Sequence, residues 1–414
     1  MNNIEHTEIE SVLSYIKNNW IKTVRNNVED EGTLLGMPYP YVVPSISGGF
    51  QEMYYWDTYF TNQGLLRQGF ENLAKSNTDN ILYMVSKYGF MPNGNRELYL
   101  NRSQPPYLSM MVRDVFNIYK DKEWLERAYE TLKIEYDFWM KKRITPIGLN
   151  RYFVDADTET ELGMFEHIYN RMPQKVKPID VDEDAKALIG RHYIAECESG
   201  WDFNPRFEGR CTDFIPVDLN CNLFIYEKNF EYFSTILNKN EDKLWKDRAE
   251  KRKELVNKYC WDETRKLFVD YDFINNAFSK VESLAVFHPL WVNLASQQQA
   301  ESTVKNIEIF ENPFGLATCK PGERDSLYQW DYPNGWAPLQ YIAAMGLMNY
   351  GYKDDAKRIA EKYVNTVIKN YGTTNKLWEK YNVIDGTINV ANEYEMPSML
   401  GWTAGVFIAL EELI

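Results

Sequence analysis

Helical hairpins joined by long, chemically loaded loops, coiled into a solenoid or closed into a toroid, are the all-α fold class that this 414-residue sequence predicts. Three observations support it. Apolar residues recur at helical spacing in separate segments, strand-like alternation is rare, and the intervening stretches are rich in Gly, Pro, Asn and aromatic residues.

In chain order, Met1 to Trp20 interleaves apolar residues with Asn, Glu, His and Lys, so it lacks the continuous apolar centre of a signal peptide. Gly89 to Pro106 is the first loaded loop. Leu108, Met111, Val112, Val115 and Tyr119 then share one helical face, and Leu125, Ala128, Leu132, Tyr136 and Trp139 share the next. A second loaded loop spans Glu196 to Arg210 and a third Pro321 to Pro338. Ala356, Ile359, Ala360, Tyr363, Val364 and Val367 form a further stripe. Gly401-Trp402-Thr403-Ala404-Gly405 has the outline of a nucleophile elbow, but Thr stands in place of Ser and no strand precedes it, so it reads as a helix start. Each apolar stripe requires a partner helix, because packing supplies most of a helix's stability.

With 44% hydrophobic and 15% aromatic residues the chain can bury a large core, and no linker or charge block divides it. A single domain over residues 1–414 is expected. The net charge of -14 argues against a nucleic-acid partner, whose phosphates require a clustered basic face. No run of about 18 apolar residues occurs, so no membrane partner is expected. Cys197, Cys211, Cys221, Cys260 and Cys319 are odd in number and form no CxxC pair, which suits reduced thiols and a cytoplasmic location.

Several chemistries are excluded by pattern. The Trp-Asp dipeptides at Trp56, Trp201, Trp261 and Trp330 do not repeat at the roughly 40 to 45 residues of a propeller blade. There is no phosphate-loop, dinucleotide or HExxH motif. His6, His167, His192 and His288 are too few for a multi-histidine metal site, and each reads as structural. Carboxylates are the remaining catalysts.

The segment Gln329-Trp330-Asp331-Tyr332-Pro333-Asn334-Gly335-Trp336-Ala337-Pro338 concentrates indoles, a carboxylate and carboxamides in ten residues. A sugar pocket needs such flat apolar faces and a few polar atoms; a proline-terminated turn whose tryptophans fill core is the other reading. Within Glu198 to Phe207, Asp202 sits between Trp201 and Phe203. Desolvation there would raise its pKa and suit a general acid, whereas a helix cap or a pair with Arg206 is the plainer role. Leu377-Trp378-Glu379-Lys380-Tyr381-Asn382 again sets a carboxylate among aromatics, followed by Asn392-Glu393-Tyr394. Direct hydrolysis of a glycoside with inversion uses two carboxyl groups about 6.5 to 9.5 Å apart. Asp202 and Glu379 are candidates, 177 positions apart (379 minus 202).

Five blocks in order resemble the trehalase family of inverting α-glycosidases. They are Ser47 to Phe60, including Gly48-Gly49-Phe50-Gln51-Glu52 and Trp56-Asp57; Pro92-Asn93-Gly94-Asn95-Arg96 with Asn101-Arg102-Ser103-Gln104-Pro105-Pro106; Glu198 to Phe207; Gln329 to Pro338; and Glu379 through Glu393 to Thr403. The resemblance implies an (α/α)6 toroid of six helical hairpins, with Asp202 as general acid and Glu379 as general base. It implies further that Phe50, Trp56, Asp57, Asn93, Arg102, Gln104, Gly200, Trp201, Trp330, Asp331 and Glu393 hold a small sugar such as trehalose, with no metal or organic cofactor.

The departures from the family pattern concern the leaving group. Gly49 occupies the position of a family arginine, Met172-Pro173-Gln174 stands where an Arg-Pro-Glu element is expected, and Pro397 replaces a Gln. A glycine cannot imitate the five-donor guanidinium fork. Another small α-glucoside or α-mannoside, such as mannosylglycerate, is therefore an alternative substrate, with Arg151, Arg171 or Arg206 available for an anionic leaving group. A catalytically silent sugar-binding protein is a further alternative, though both candidate carboxylates are retained.

Overall fold

The structure, a computed structural model, describes residues 6–170, 177–178, 180–323, 328–390 and 395–414. Its helices are α1 (His6–Asn19), α2 (Tyr55–Arg67), α3 (Glu71–Tyr88), α4 (Leu108–Tyr119), α5 (Lys122–Lys142), α6 (Thr158–Tyr169), α7 (Glu183–Ser199), α8 (Val217–Leu237), α9 (Asp242–Cys260), α10 (His288–Trp291), α11 (Gln297–Lys305), α12 (Ala337–Asn349), α13 (Lys353–Thr374) and α14 (Gly401–Glu411). Strands occur only as short antiparallel ladders among the described residues.

Two kinds of helix build the molecule. The apolar stripes expected on α4, α5 and α13 are buried on one face, except that Tyr119 is exposed and donates its hydroxyl to Asn72 Oδ1. In contrast α2, α12 and α14 are buried at almost every residue, as helices surrounded by other helices must be. Six helices close a ring: α2 packs on α4, α4 on α8, α8 on α10, α10 on α12, α12 on α14, and α14 returns to α2. Outside it, α3 covers α2 and α4, α5 covers α4 and α8, α9 covers α8, and α13 covers α12 and α14. The choice between solenoid and toroid is thereby made in favour of the (α/α)6 toroid.

Ring closure depends on glycine. A Cβ at Gly405 would lie 1.9 Å from the Phe60 carbonyl oxygen, and one at Gly64 would lie 2.8 Å from the Gly405 Cα. The two backbones therefore meet where any side chain would collide. One apolar cluster runs from Val12 to Leu410, and a small satellite of Phe165, Ile168, Tyr193 and Phe203 supports the α6–α7 hairpin. No described helix is long and apolar enough to cross a membrane.

The loaded loops are shorter than the sequence suggests. Glu196 to Ser199 form the last turn of α7, which Gly200 ends in the left-handed conformation (φ +73°). Asn334–Trp336 is a strand, and Ala337 and Pro338 already belong to α12. Gly401 does begin a helix.

Candidate active site

The loop segments converge on one cavity of about 140 Å³. Its wall contains Phe50, Tyr54, Trp56 and Asp57 around the start of α2, Asn93, Tyr99, Arg102 and Gln104 from the α3–α4 connection, and Gly200 and Asp202 after α7. Gln329 and Trp330 before α12, Glu379 between α13 and α14, and Met399 and Trp402 at the start of α14 complete it.

Backbone pairing explains how residues so distant in the chain meet. The Gln329 side-chain amide donates to the Asp202 carbonyl at 3.1 Å, and the Trp330 N–H donates to the Phe203 carbonyl at 3.4 Å. A few residues on, Asn334–Trp336 pairs antiparallel with Lys380–Asn382, in the register Trp336 to Lys380. The Trp402 indole N–H then donates to the Glu379 carbonyl at 3.1 Å. The 329–336 segment is thus the strap joining the Asp202 loop to the strand beside Glu379. Elsewhere in the lining, the Trp56 N–H donates to Gln104 Oε1 (3.2 Å), and Asn93 Nδ2 donates to the Cys197 carbonyl at the end of α7 (3.0 Å).

Tryptophan gives this wall its stiffness. Trp330 stacks on Trp336 with ring centroids 3.7 Å apart and 3° between planes, and on Trp201 at 5.5 Å and 19°. Trp56 lies 5.6 Å from Trp330 and meets Trp402 edge-on at 5.7 Å. Gly200 is dictated by this packing, since a Cβ there would sit 2.8 Å from Trp56 Cε2 while φ is already left-handed. Gly200→Ala should therefore destabilise the fold by about 1–3 kcal/mol, through overpacking in addition to backbone strain. An unchanged urea midpoint would refute that reading.

The cavity is acidic. Burial, then the charge of Glu379 and after it that of Asp202, pushes the Asp57 carboxyl well above the ordinary aspartate range. A raised value in the folded state means that the associated stability is present below the unfolded pKa of about 4 and is lost as pH rises through the folded value. Asp57→Asn should abolish that loss. Its melting temperature relative to the parent is expected to climb as pH rises above the unfolded value of about 4, and a pH-independent difference would count against a raised Asp57 carboxyl. Glu379 Oε2 accepts a hydrogen bond from Lys380 Nζ at 2.6 Å, and both residues are buried. Among the described residues no group of three or more His, Cys, Asp or Glu side chains is arranged to hold a metal ion. His192 and His288 are held down to about 4 by burial, and neither lines the cavity.

Of the residues expected at the site, Asp202, Glu379, Phe50, Trp56, Asp57, Asn93, Arg102, Gln104, Gly200 and Trp330 line this cavity together. Trp201 and Asp331 do not. Trp201 is buried behind Trp330, and Asp331 is buried with its Oδ1 accepting the Tyr332 N–H. Glu393, like Arg171 and Met172-Pro173-Gln174, lies outside the described residues. Arg206 neither pairs with Asp202 nor reaches a leaving group, because its buried guanidinium is committed to Asp218 and Asp270. Arg151 donates to the Thr212 carbonyl and does not line the cavity. Sequence reasoning missed Tyr54, Tyr99, Gln329, Met399 and Trp402. Tyr54, Gln329, Met399 and Trp402 lie inside recognised blocks and were legible there; Tyr99 carries no local signal.

A family model described as trehalase matches residues 1–414. The chain belongs to the trehalase family. Neutral trehalase Nth1 from Saccharomyces cerevisiae is 28% identical over 97% of this chain and 80% of that protein, with a TM-score of 0.79. The GH63 mannosylglycerate hydrolase from Thermus thermophilus shares the fold at 15% identity, covering 96% of this chain and 99% of that one, with a TM-score of 0.65. The protein is accordingly a trehalase-like glycoside hydrolase of the (α/α)6 toroid fold.

Proposed function

We propose that this trehalase-family member hydrolyses trehalose with inversion, with Asp202 as general acid and Glu379 as general base. The observation carrying this reading is that both carboxylates face one tryptophan-walled cavity to which separate loops bring them. In the reaction Asp202, half-buried between Trp201 and Phe203, would hand its proton to the glycosidic oxygen as the bond to the anomeric carbon breaks. Glu379 would take a proton from the water attacking the opposite face. Trp330 and Trp56 offer apolar faces for the ring, while Asp57, Asn93, Arg102 and Gln104 offer acceptors and donors for its hydroxyls. The chain would act as a single catalytic domain over residues 1–414, in the cytoplasm.

The test is incubation with trehalose and a panel of α-glucosides and α-mannosides, following the first-formed anomer by NMR. Release of the β-anomer is expected; a retained α-anomer would defeat the two-carboxylate scheme. Gly49 favours a second reading, in which another small α-glucoside or α-mannoside is the substrate. A Cβ at Gly49 meets nothing within 4 Å, so a side chain can start there without a clash. Faster trehalose cleavage by Gly49→Arg is expected if the absent guanidinium limits that reaction. An unchanged trehalose rate, with a mannoside preferred, favours the second reading.

A further inference from the structure

Lys380 is as deeply buried as any charged residue in the molecule, and it stands immediately behind the cavity. Its Nζ lies 2.6 Å from Glu379 Oε2 and 4.5 Å from the centre of the Trp336 ring, which is stacked on the cavity residue Trp330. Burying an ammonium is costly unless a charge and a π-face repay it, so a lysine used only to fill space would be replaced at a gain by an apolar residue. The site has a specific need for it. Among the described residues, three carboxylates, Asp57 on α2, Asp202 after α7 and Glu379, share the cavity with Arg102.

We propose that Lys380 is a positioning residue for Glu379, its ammonium fixing the rotation of the carboxylate and supplying the charge that lets three carboxylates share one cavity. The strand register makes this possible. Trp336 lies opposite Lys380 in the ladder, so the indole holds the lysine while the lysine holds Glu379. Lys380 needs no contact with the sugar. The inference rests on Glu379 being the general base.

Among the described residues, the titratable and charged groups that share the cavity with Glu379 or touch it are Asp57, Asp202, Arg102, Lys380, Tyr54 and Tyr99. The experiment compares Lys380→Met, Lys380→Gln and Lys380→Arg in the full chain, with α-glucosyl and α-mannosyl fluorides as probes. Fluoride departs with little need of a general acid, so its release reports on the base and the attacking water. The neutral variants should lose up to about a hundredfold in kcat, with KM within about threefold of the parent. They should also move the acidic limb of the pH–kcat/KM profile upward by about one unit. Lys380→Arg keeps the charge and should keep the limb in place. If Met prevents folding, the comparison of Gln with Arg decides. The same acidic limb in both, or a neutral variant with parental kcat, overturns the proposal. Glu379→Gln separates the two levels: an active E379Q removes the base assignment itself, whereas an inactive E379Q with an unmoved limb in K380Q removes only the role of Lys380.

Discussion

Glu379→Gln is expected to lower turnover by at least about two orders of magnitude, and Asp202→Asn to do the same. Both changes are close to isosteric; each removes the ability to exchange a proton together with a negative charge, and at position 379 the buried Lys380 ammonium is left facing a neutral amide, so the fold of E379Q is checked by its denaturation midpoint. Glu379 is buried, with its backbone carbonyl held by the Trp402 indole and its carboxylate by Lys380, so a Gln can occupy the same volume. The two variants differ in a way that separates their roles. With an activated substrate such as a glycosyl fluoride, Asp202→Asn should recover much of its rate because the leaving group no longer needs a proton, and Glu379→Gln should not. Parental turnover on trehalose in either variant would sink its assignment, and fluoride rescue of Glu379→Gln instead of Asp202→Asn would exchange the two roles.

The largest effect on stability is expected at Arg206. Its Nε and Nη2 donate to the two Asp270 carboxylate oxygens at 2.5 and 2.8 Å, Nη2 also donates to Asp218 Oδ1 at 2.5 Å, and its Cζ lies 4.5 Å from the Trp201 ring centre. All of these groups are buried. Arg206→Met keeps much of the volume but strands two carboxylates in the interior, and should cost about 3–5 kcal/mol. Chemical denaturation measures it directly. Arg206→Lys should recover part of the loss, since it restores the charge without the planar fork, and adding Asp270→Asn to Arg206→Met should recover part of it by removing a stranded charge. A denaturation midpoint unmoved by Arg206→Met would show that the buried triad contributes nothing. Arg206 lies four residues beyond Asp202, in a loop pinned by the Asn204 side chain to the Trp201 carbonyl and the Arg206 N–H, so the variant should also slow catalysis.

Much of this architecture was legible in the residue order. The stripes at Leu108–Val115, Leu125–Trp139 and Ala356–Val367 announced the helices that carry them, because a period of 3.6 has no other economical use for apolar side chains. The aromatic and amide density of 329–338 marked a special segment, and the ordered blocks named most of the residues that share the cavity. What was not legible is equally particular. Trp201 and Asp331 carry the same composition as their neighbours yet lie behind the cavity, since which side of a loop faces inward is decided by what packs against its other side. Arg206 reads as a partner for the nearby Asp202, but its partners Asp218 and Asp270 lie 12 and 64 positions away. Nothing in the residue order singles out Lys380; the ladder sets it against Trp336.

By itself, then, the sequence determined that the protein is helical, that its loops are chemically loaded, and that carboxylates are available for sugar chemistry. Only the tertiary structure decided that the helices close into a ring, through the Gly64–Gly405 contact, and that the 329–336 strap brings the Asp202 loop to the Glu379 strand. The physical reason is range. Propensity, periodicity and turn chemistry act within about a dozen residues of chain, whereas ring closure and the meeting of two carboxylates across 177 positions depend on buried contacts that exist only once the whole core has packed.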